Sequence, residues 1–223
     1  MRSKIWAVVS CSLLIAVIGG SRTARAQGVP VPVASAEPAG MNSVVERPGF
    51  DFGLRLGYAI PMGSVFQNAT LSDGISGAIP FVLEAAYRIT PNFSVGGLFQ
   101  YAVAQTKNCP SSCSASVMRF GVEGIYNVRS GGAFDPWLGL GVGYEQLSLS
   151  VSGVGDGDYH GFEFATIHAG GDYRMAPNFA LGPFVSFSLA QYSGVSSGGQ
   201  SADIPNTAMH EWLQLGIRGL FSI

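Results

Sequence analysis

The stretch Leu213-Gln214-Leu215-Gly216-Ile217-Arg218-Gly219-Leu220-Phe221-Ser222-Ile223 decides the fold. Leu213, Leu215, Ile217, Gly219, Phe221 and Ile223 form one apolar set, and Gln214, Gly216, Arg218, Leu220 and Ser222 alternate with them. A period of two residues belongs to a strand whose successive side chains point to opposite faces. An arginine set among Gln, Gly and Ser cannot build a dry core. It can fill a narrow barrel whose apolar side points outward.

The same pattern recurs upstream. Phe50, Phe52, Leu54, Leu56, Tyr58 and Ile60 alternate with Asp51, Gly53, Arg55, Gly57 and Ala59. Ile79 to Ile89 places Glu84, Ala86 and Arg88 on its second face, and a tight Thr90-Pro91-Asn92 turn follows. Phe93 to Val103 comes next, with Ser94, Leu98 and Gln100 on the inner side. Met118 to Val128 carries Arg119, Gly121 and Glu123 inward. Pro136 to about Leu147 turns Trp137, Gly139, Gly141, Gly143 and Glu145 inward. A sixth strand opposes Ala165, Ile167, Ala169, Gly171 and Tyr173 to Phe164, Thr166, His168, Asp172 and Arg174. Phe179 to Leu189 is the seventh and Leu213 to Ile223 the eighth. Tyr87-Arg88-Ile89-Thr90-Pro91-Asn92-Phe93 returns as Tyr173-Arg174-Met175-Ala176-Pro177-Asn178-Phe179, so one hairpin is used twice. The connections near 61–78, 104–116, 148–161 and 193–207 are expected to be long loops. Short turns at one end and long loops at the other are the asymmetry of outer-membrane barrels.

The identity of the two faces separates a membrane barrel from a soluble one. A soluble barrel buries bulky apolar residues and shows Lys, Glu and Thr outside; here the polar face is mostly Gly, Ala and Ser with a few Arg and Glu. Tyr58, Tyr87, Tyr101, Tyr126, Tyr144 and Tyr173 fall on the apolar face toward strand ends, as girdle residues do. Slipping one strand by a residue would turn Arg55, Arg119 or Arg218 to lipid at about 2–4 kcal/mol each near the midplane, so the register is strongly opposed to slippage. The outward exceptions Gln146, Gln191 and Glu211 lie near the loop end, within reach of headgroups. The expected fold is an all-β, eight-stranded antiparallel up-and-down transmembrane β-barrel.

Composition agrees. The 223 residues include 31 Gly, with 47% hydrophobic and 12% charged residues. Arg2 and Lys4, an apolar run from Ile5 to Ile18 and the Ala24-Arg25-Ala26 site before Gln27 read as a secretory signal peptide over 1–26, cleaved between Ala26 and Gln27. Its removal leaves 8 basic and 14 acidic residues, net −6, which gives no support to nucleic-acid binding. The proline-rich segment 27–49 reads as a flexible periplasmic leader before the barrel domain, 50–223. Cys109 and Cys113 are the cysteines that remain, and in an exported chain a disulfide is expected, worth at most about 2 kcal/mol for so short a loop. No later segment has eighteen consecutive apolar residues, so any span must be made of strands.

Residues 50–223 resemble the small OmpA-like/OmpX-like outer-membrane β-barrel family. The resemblance rests on Phe134-Asp135-Pro136-Trp137-Leu138-Gly139-Leu140-Gly141-Val142-Gly143-Tyr144, the turn Asp172-Tyr173-Arg174-Met175-Ala176-Pro177-Asn178, and the closing strand. Ile223 stands where such barrels usually end in Phe. The resemblance implies the bacterial outer membrane, contact with its lipid and lipopolysaccharide, delivery by the barrel-assembly machinery, and a monomer.

Ten charges are expected to point into the lumen: Asp51, Arg55, Glu84, Arg88, Arg119, Glu123, Glu145, Asp172, Arg174 and Arg218. Arg55, Glu84, Glu123 and Arg218 fall at about the same height from the periplasmic strand ends and are expected to form an ionic cluster that closes the barrel. His168, four residues before Asp172, reads as a hydrogen-bonded lumen histidine, and His160 and His210 as solvated residues of the loop end. Gly155-Asp156-Gly157-Asp158 lacks the ligands of a calcium site, and the Gly139, Gly141, Gly143 run lacks the following helix of a phosphate site. No catalytic, cofactor or metal site is expected. The leading function is a non-enzymatic barrel serving envelope integrity or meeting an extracellular ligand through four loops. The alternative is a narrow porin-like channel, or a passage for small apolar molecules lined by Leu98, Trp137, Phe184 and Tyr192.

Overall fold

The computed structural model describes residues 48–66, 69–109, 112–128, 132–153 and 155–223; the signal peptide expected over 1–26, the cleavage site expected between Ala26 and Gln27 and nearly all of the 27–49 segment lie outside them. Eight long strands run β1 (Gly49–Phe66), β3 (Ile75–Thr90), β4 (Phe93–Thr106), β5 (Cys113–Asn127), β6 (Phe134–Val151), β7 (Gly155–Ala176), β8 (Phe179–Ser197) and β10 (Met209–Ser222). Three short elements join them at one end: β2 (Ala69–Thr70), the single helical turn α1 (Leu71–Gly74) and β9 (Gln200–Asp203). Each long strand pairs antiparallel with its neighbours in sequence, and β10 pairs with both β8 and β1, which closes an up-and-down barrel. Closure leaves the wall without an edge in the bilayer, where an unpaired backbone N–H or C=O would cost several kcal/mol.

The outward side chains divide the wall into two zones. Between Phe93 and Val103 on β4, Phe134 and Tyr144 on β6, and Phe179 and Leu189 on β8, nearly every outward position is apolar and exposed. About eleven tilted residues is the length a strand needs to cross the hydrocarbon. Beyond this band the alternation inverts. On β6, Leu138, Leu140 and Val142 face out, whereas past Gln146 it is Leu147 that is buried and Ser148 and Ser150 that lie outward.

This inversion accounts for the four connections expected as long loops. Most of their residues continue the strands: β1 reaches Phe66, β4 reaches Thr106, β5 begins at Cys113, β7 begins at Gly155 and β8 reaches Ser197. An outward face that meets water instead of lipid loses the apolar signature without losing its hydrogen-bonded ladder. Inside this upper zone Ala59, Val65, Leu71, Ile75, Ala78, Ala102, Ala104, Ala115, Val117, Leu147, Tyr192 and Trp212 pack into an apolar core. The upper barrel is thus built like a soluble one.

A further correction concerns β7. Phe164, expected inward, is exposed beside Phe162, and Glu163 is buried. The register shifts between Glu163 and Ala165 on one side and between Gly141 and Gly143 on the other, marking a β-bulge whose extra residue switches the facing of the strand. The bulge keeps Phe162, Phe164 and Ile167 all on the lipid face.

Candidate functional site: the lumen

The lumen is filled by charged side chains in three tiers. At the turn end, Arg88 pairs with Asp51, and Ser222 bridges them, donating to Asp51 Oδ1 at 2.7 Å and accepting from Arg88 Nη2 at 2.9 Å. Arg174 lies at the same mouth and donates to the Pro177 carbonyl at 3.2 Å. With Asp51, Arg88, Asp172 and Asn178 it lines a cavity of about 20 Å³, room for about one water.

The middle tier brings Arg55, Glu84, Glu123 and Arg218 together and adds Asp172 and His168. Arg218 donates to Glu84 Oε2 at 2.8 Å through Nη2 and to Asp172 Oδ2 at 2.9 Å through Nη1. Arg55 is ion-paired to Glu84 and donates to both Glu123 oxygens at 3.2 Å. The pairing Arg55↔Arg218 sets the two arginines opposite each other on β1 and β10; Glu84 reaches them from the adjacent strand β3, and Glu123 of β5 and Asp172 of β7 from farther round the barrel. Neighbouring cations would repel in a low-dielectric lumen; three carboxylates around two arginines remove that cost. Trp137 supplies an apolar floor, with its ring 4.5 Å from the Arg218 guanidinium carbon.

His168 is completely enclosed in this tier. Arg55 Nη1 lies 3.2 Å from its Nδ1, and since a guanidinium only donates, Nδ1 accepts and the proton belongs on Nε2, 3.5 Å from Glu123 Oε2. The ring fits because position 139 is glycine: a Cβ there would collide with the imidazole.

The upper tier is centred on Glu145, which has no exposed surface. Arg119 Nε donates to its Oε2 at 2.6 Å, and Tyr192 OH, His210 Nε2 at 3.0 Å and Trp212 Nε1 at 3.4 Å converge on Oε1. Arg119 also reaches Glu163 at 3.4 Å and donates to Ser188 Oγ at 3.1 Å, while Thr166 donates to Glu163. Its guanidinium lies 5.6 Å from the centre of the Trp212 ring. The solvated placement expected for His210 is therefore corrected, because the ring is fully buried, stacked on Tyr192 at 4.1 Å. His210 and Trp212 share the parity of Gln214 and Arg218, so carrying the closing strand's alternation upstream would have found both. Glu163 was hidden by the bulge. Its trace in the sequence is the three-residue step from Phe164 to Ile167.

Cys109 and Cys113 are bonded at the loop end, their Cα atoms 6.4 Å apart. Among the described residues no group of three or more His, Cys, Asp or Glu is placed to hold a metal ion.

A closed ring of eight long strands with an exposed apolar band and an ionic interior defines the class: a β-barrel that crosses a membrane with its strands. The chain belongs to the outer membrane protein beta-barrel domain family, whose model matches residues 29–183, and its location is the bacterial outer membrane, in contact with lipid. Among solved structures, Neisserial surface protein A is similar at 17% identity and a TM-score of 0.49, covering 78% of this chain and 98% of that one. OprG from Pseudomonas aeruginosa is similar at 15% identity and a TM-score of 0.48, over 79% of this chain and 97% of its own. Ail of Yersinia pestis follows at 14% and 0.44, over 77% and 99%. No curated protein sequence matches the chain.

Proposed function

We propose that this chain is a non-enzymatic outer-membrane barrel with a closed lumen, which serves envelope integrity and presents its loop end to the outside. The observation that carries the reading is the middle tier: Arg55, Glu84, Glu123 and Arg218, with Asp172, occupy the lumen as mutually paired, buried charges. Ions crossing this level would have to break pairs whose separated members have no water to replace the lost partner. The apolar core above it supports closure further, since fully buried Tyr192 and Trp212 stand in the path.

Supporting a non-enzymatic role, His168 Nδ1 meets Arg55 Nη1 at 3.2 Å, and its Nε2 lies 3.5 Å from Glu123 Oε2, within the same ionic tier. The remaining parts of the reading are a signal peptide over 1–26, a periplasmic leader over 27–49, insertion by the barrel-assembly machinery as a monomer, and headgroup or lipopolysaccharide contact by the outward Gln146, Gln191 and Glu211. Planar-bilayer recording of the refolded mature chain tests the plug. The wild type should be nearly silent, and Glu123→Ala, which leaves Arg55 with Glu84 alone, should show brief openings. A large steady conductance in the wild type would sink the closed-lumen reading in favour of a narrow channel.

A further inference from the structure

Among the described residues, β9 leaves a free edge above the lipid band. β8 turns into β9 through Gly198 and Gly199, whose φ values of +59° and +79° suit a two-residue hairpin of type I′. β9 pairs with β8 from Ser197↔Gln200 to Gly194↔Asp203 and ends the hydrogen-bonded strand order. Ile204 N donates to Ser193 O at 3.0 Å, so residues of the same parity, Ala202 and Gln200, turn their N–H and C=O toward β8. Ser201 and Asp203 therefore turn theirs to the open side. All four β9 residues are exposed, and no lysine, proline or bulge lies within Gln200–Asp203.

The charge around this edge selects an occupant. Beyond the lipid band the chain carries Asp73, Asp156, Asp158, Asp203 and Glu211 against Lys107 alone, a net charge of −4 with histidines neutral. The arginines of β1, β3, β5 and β10 (Arg55, Arg88, Arg119 and Arg218) are all buried in the lumen and do not offset it. A second copy of the chain would bring like charges together. An extended segment carrying lysine or arginine would bring opposite ones.

We propose that β9 is a docking edge for an extended cationic peptide segment of an extracellular protein, which adds a strand through the backbone of Ser201 and Asp203 and is held by the acidic loop end. This rests on the reading that the loop end faces outward. Ser201→Pro removes one outward N–H and the side-chain bond between Ser201 Oγ and Ser196 Oγ, 2.8 Å, but no backbone bond to β8, so the hairpin should persist.

The test uses the refolded mature chain in nanodiscs and a fluorescent peptide of alternating valine and lysine, with binding read by anisotropy. The peptide should bind with an affinity that falls as salt rises, the glutamate-for-lysine peptide should not bind, and Ser201→Pro should bind about tenfold more weakly. The amides of Ser201 and Asp203 in the wild-type chain should gain exchange protection when peptide is added, a readout independent of how the variant folds. Failure of the lysine peptide to bind, equal binding of the glutamate peptide, undiminished binding by folded Ser201→Pro, or unprotected amides would each overturn the proposal. None of these outcomes depends on conductance, so docking edge and plug fail separately.

Discussion

Replacing Glu145 by alanine should destabilise the barrel more than any surface substitution. The carboxylate is wholly buried and receives Arg119, Tyr192, His210 and Trp212. Its loss leaves Arg119 with Glu163 at 3.4 Å and strips Tyr192, His210 and Trp212 of their shared acceptor. Removing one partner of a buried pair costs about 3–5 kcal/mol, and the residual Glu163 contact places the expected loss for Glu145→Ala near the lower end, about 3 kcal/mol. Arg119→Met should cost about as much, because it leaves both Glu145 and Glu163 buried without their cation. The double variant Arg119→Met/Glu145→Ala should be destabilised by only about 3–4 kcal/mol, since Glu145 is no longer stranded and the remaining loss is the orphaned donors, about 1 kcal/mol each, and Glu163, which loses Arg119 but keeps the Thr166 donor. The coupling between the two sites is thus about 2–3 kcal/mol. Urea unfolding in phospholipid vesicles, followed by tryptophan emission, reports it directly, because Trp212 touches the tier itself. Single-variant losses that add in the double to within about 0.5 kcal/mol would refute the reasoning.

Gly139→Ala drives a Cβ into the His168 ring and should cost about 1–3 kcal/mol in the same assay, whereas Gly157→Ala, where a Cβ meets nothing within 4 Å, should leave stability unchanged. Phe164→Trp should be quenched by brominated lipids, as the bulge turns this position to the bilayer; an unquenched tryptophan would restore uninterrupted alternation on β7. The first turn of α1 should respond to acid. Hydrogen bonds from Thr70, including its N–H at 3.2 Å, hold the exposed Asp73 carboxylate below the ordinary aspartate value. A depressed value in the folded state stabilises the turn above the unfolded value of 3.8, and that stabilisation is lost as pH falls through the folded one, so Thr70 amide protection, taken against the intrinsic exchange rate at each pH, should be unchanged from neutral pH down to the ordinary aspartate range and fall only below it.

Much of the barrel was legible because lipid and lumen impose opposite demands on adjacent residues. Phe50 to Ile60, Phe93 to Val103 and Leu213 to Ile223 each carry a strict alternation that only a strand satisfies, and each forms part of a long strand. The upper strands were not legible by the same rule. Ser114, Ser116, Ser148 and Ser150 face water, so the outward set that announces a lipid-facing strand is missing there. The bulge near Glu163 was equally hidden, since an extra residue changes facing without changing composition.

The sequence alone determined the class of protein: strand-length apolar faces and a polar second face with few lysines leave a membrane barrel as the consistent solution, because a bilayer accepts strands only when they close. It also determined which residues of seven strands face inward, through a parity that a single slip would reverse at high cost. Beyond the Arg55, Glu84, Glu123 and Arg218 set expected from strand height, only the tertiary structure decided which inward charges meet and through which pairings. Arg55 and Arg218 lie 163 positions apart and become neighbours because β10 closes on β1, and Glu145 collects Tyr192, His210 and Trp212 because three strands converge above the lipid band. Strand period is a local property of the chain, whereas height in the lumen depends on tilt, register and bulges summed around the whole ring.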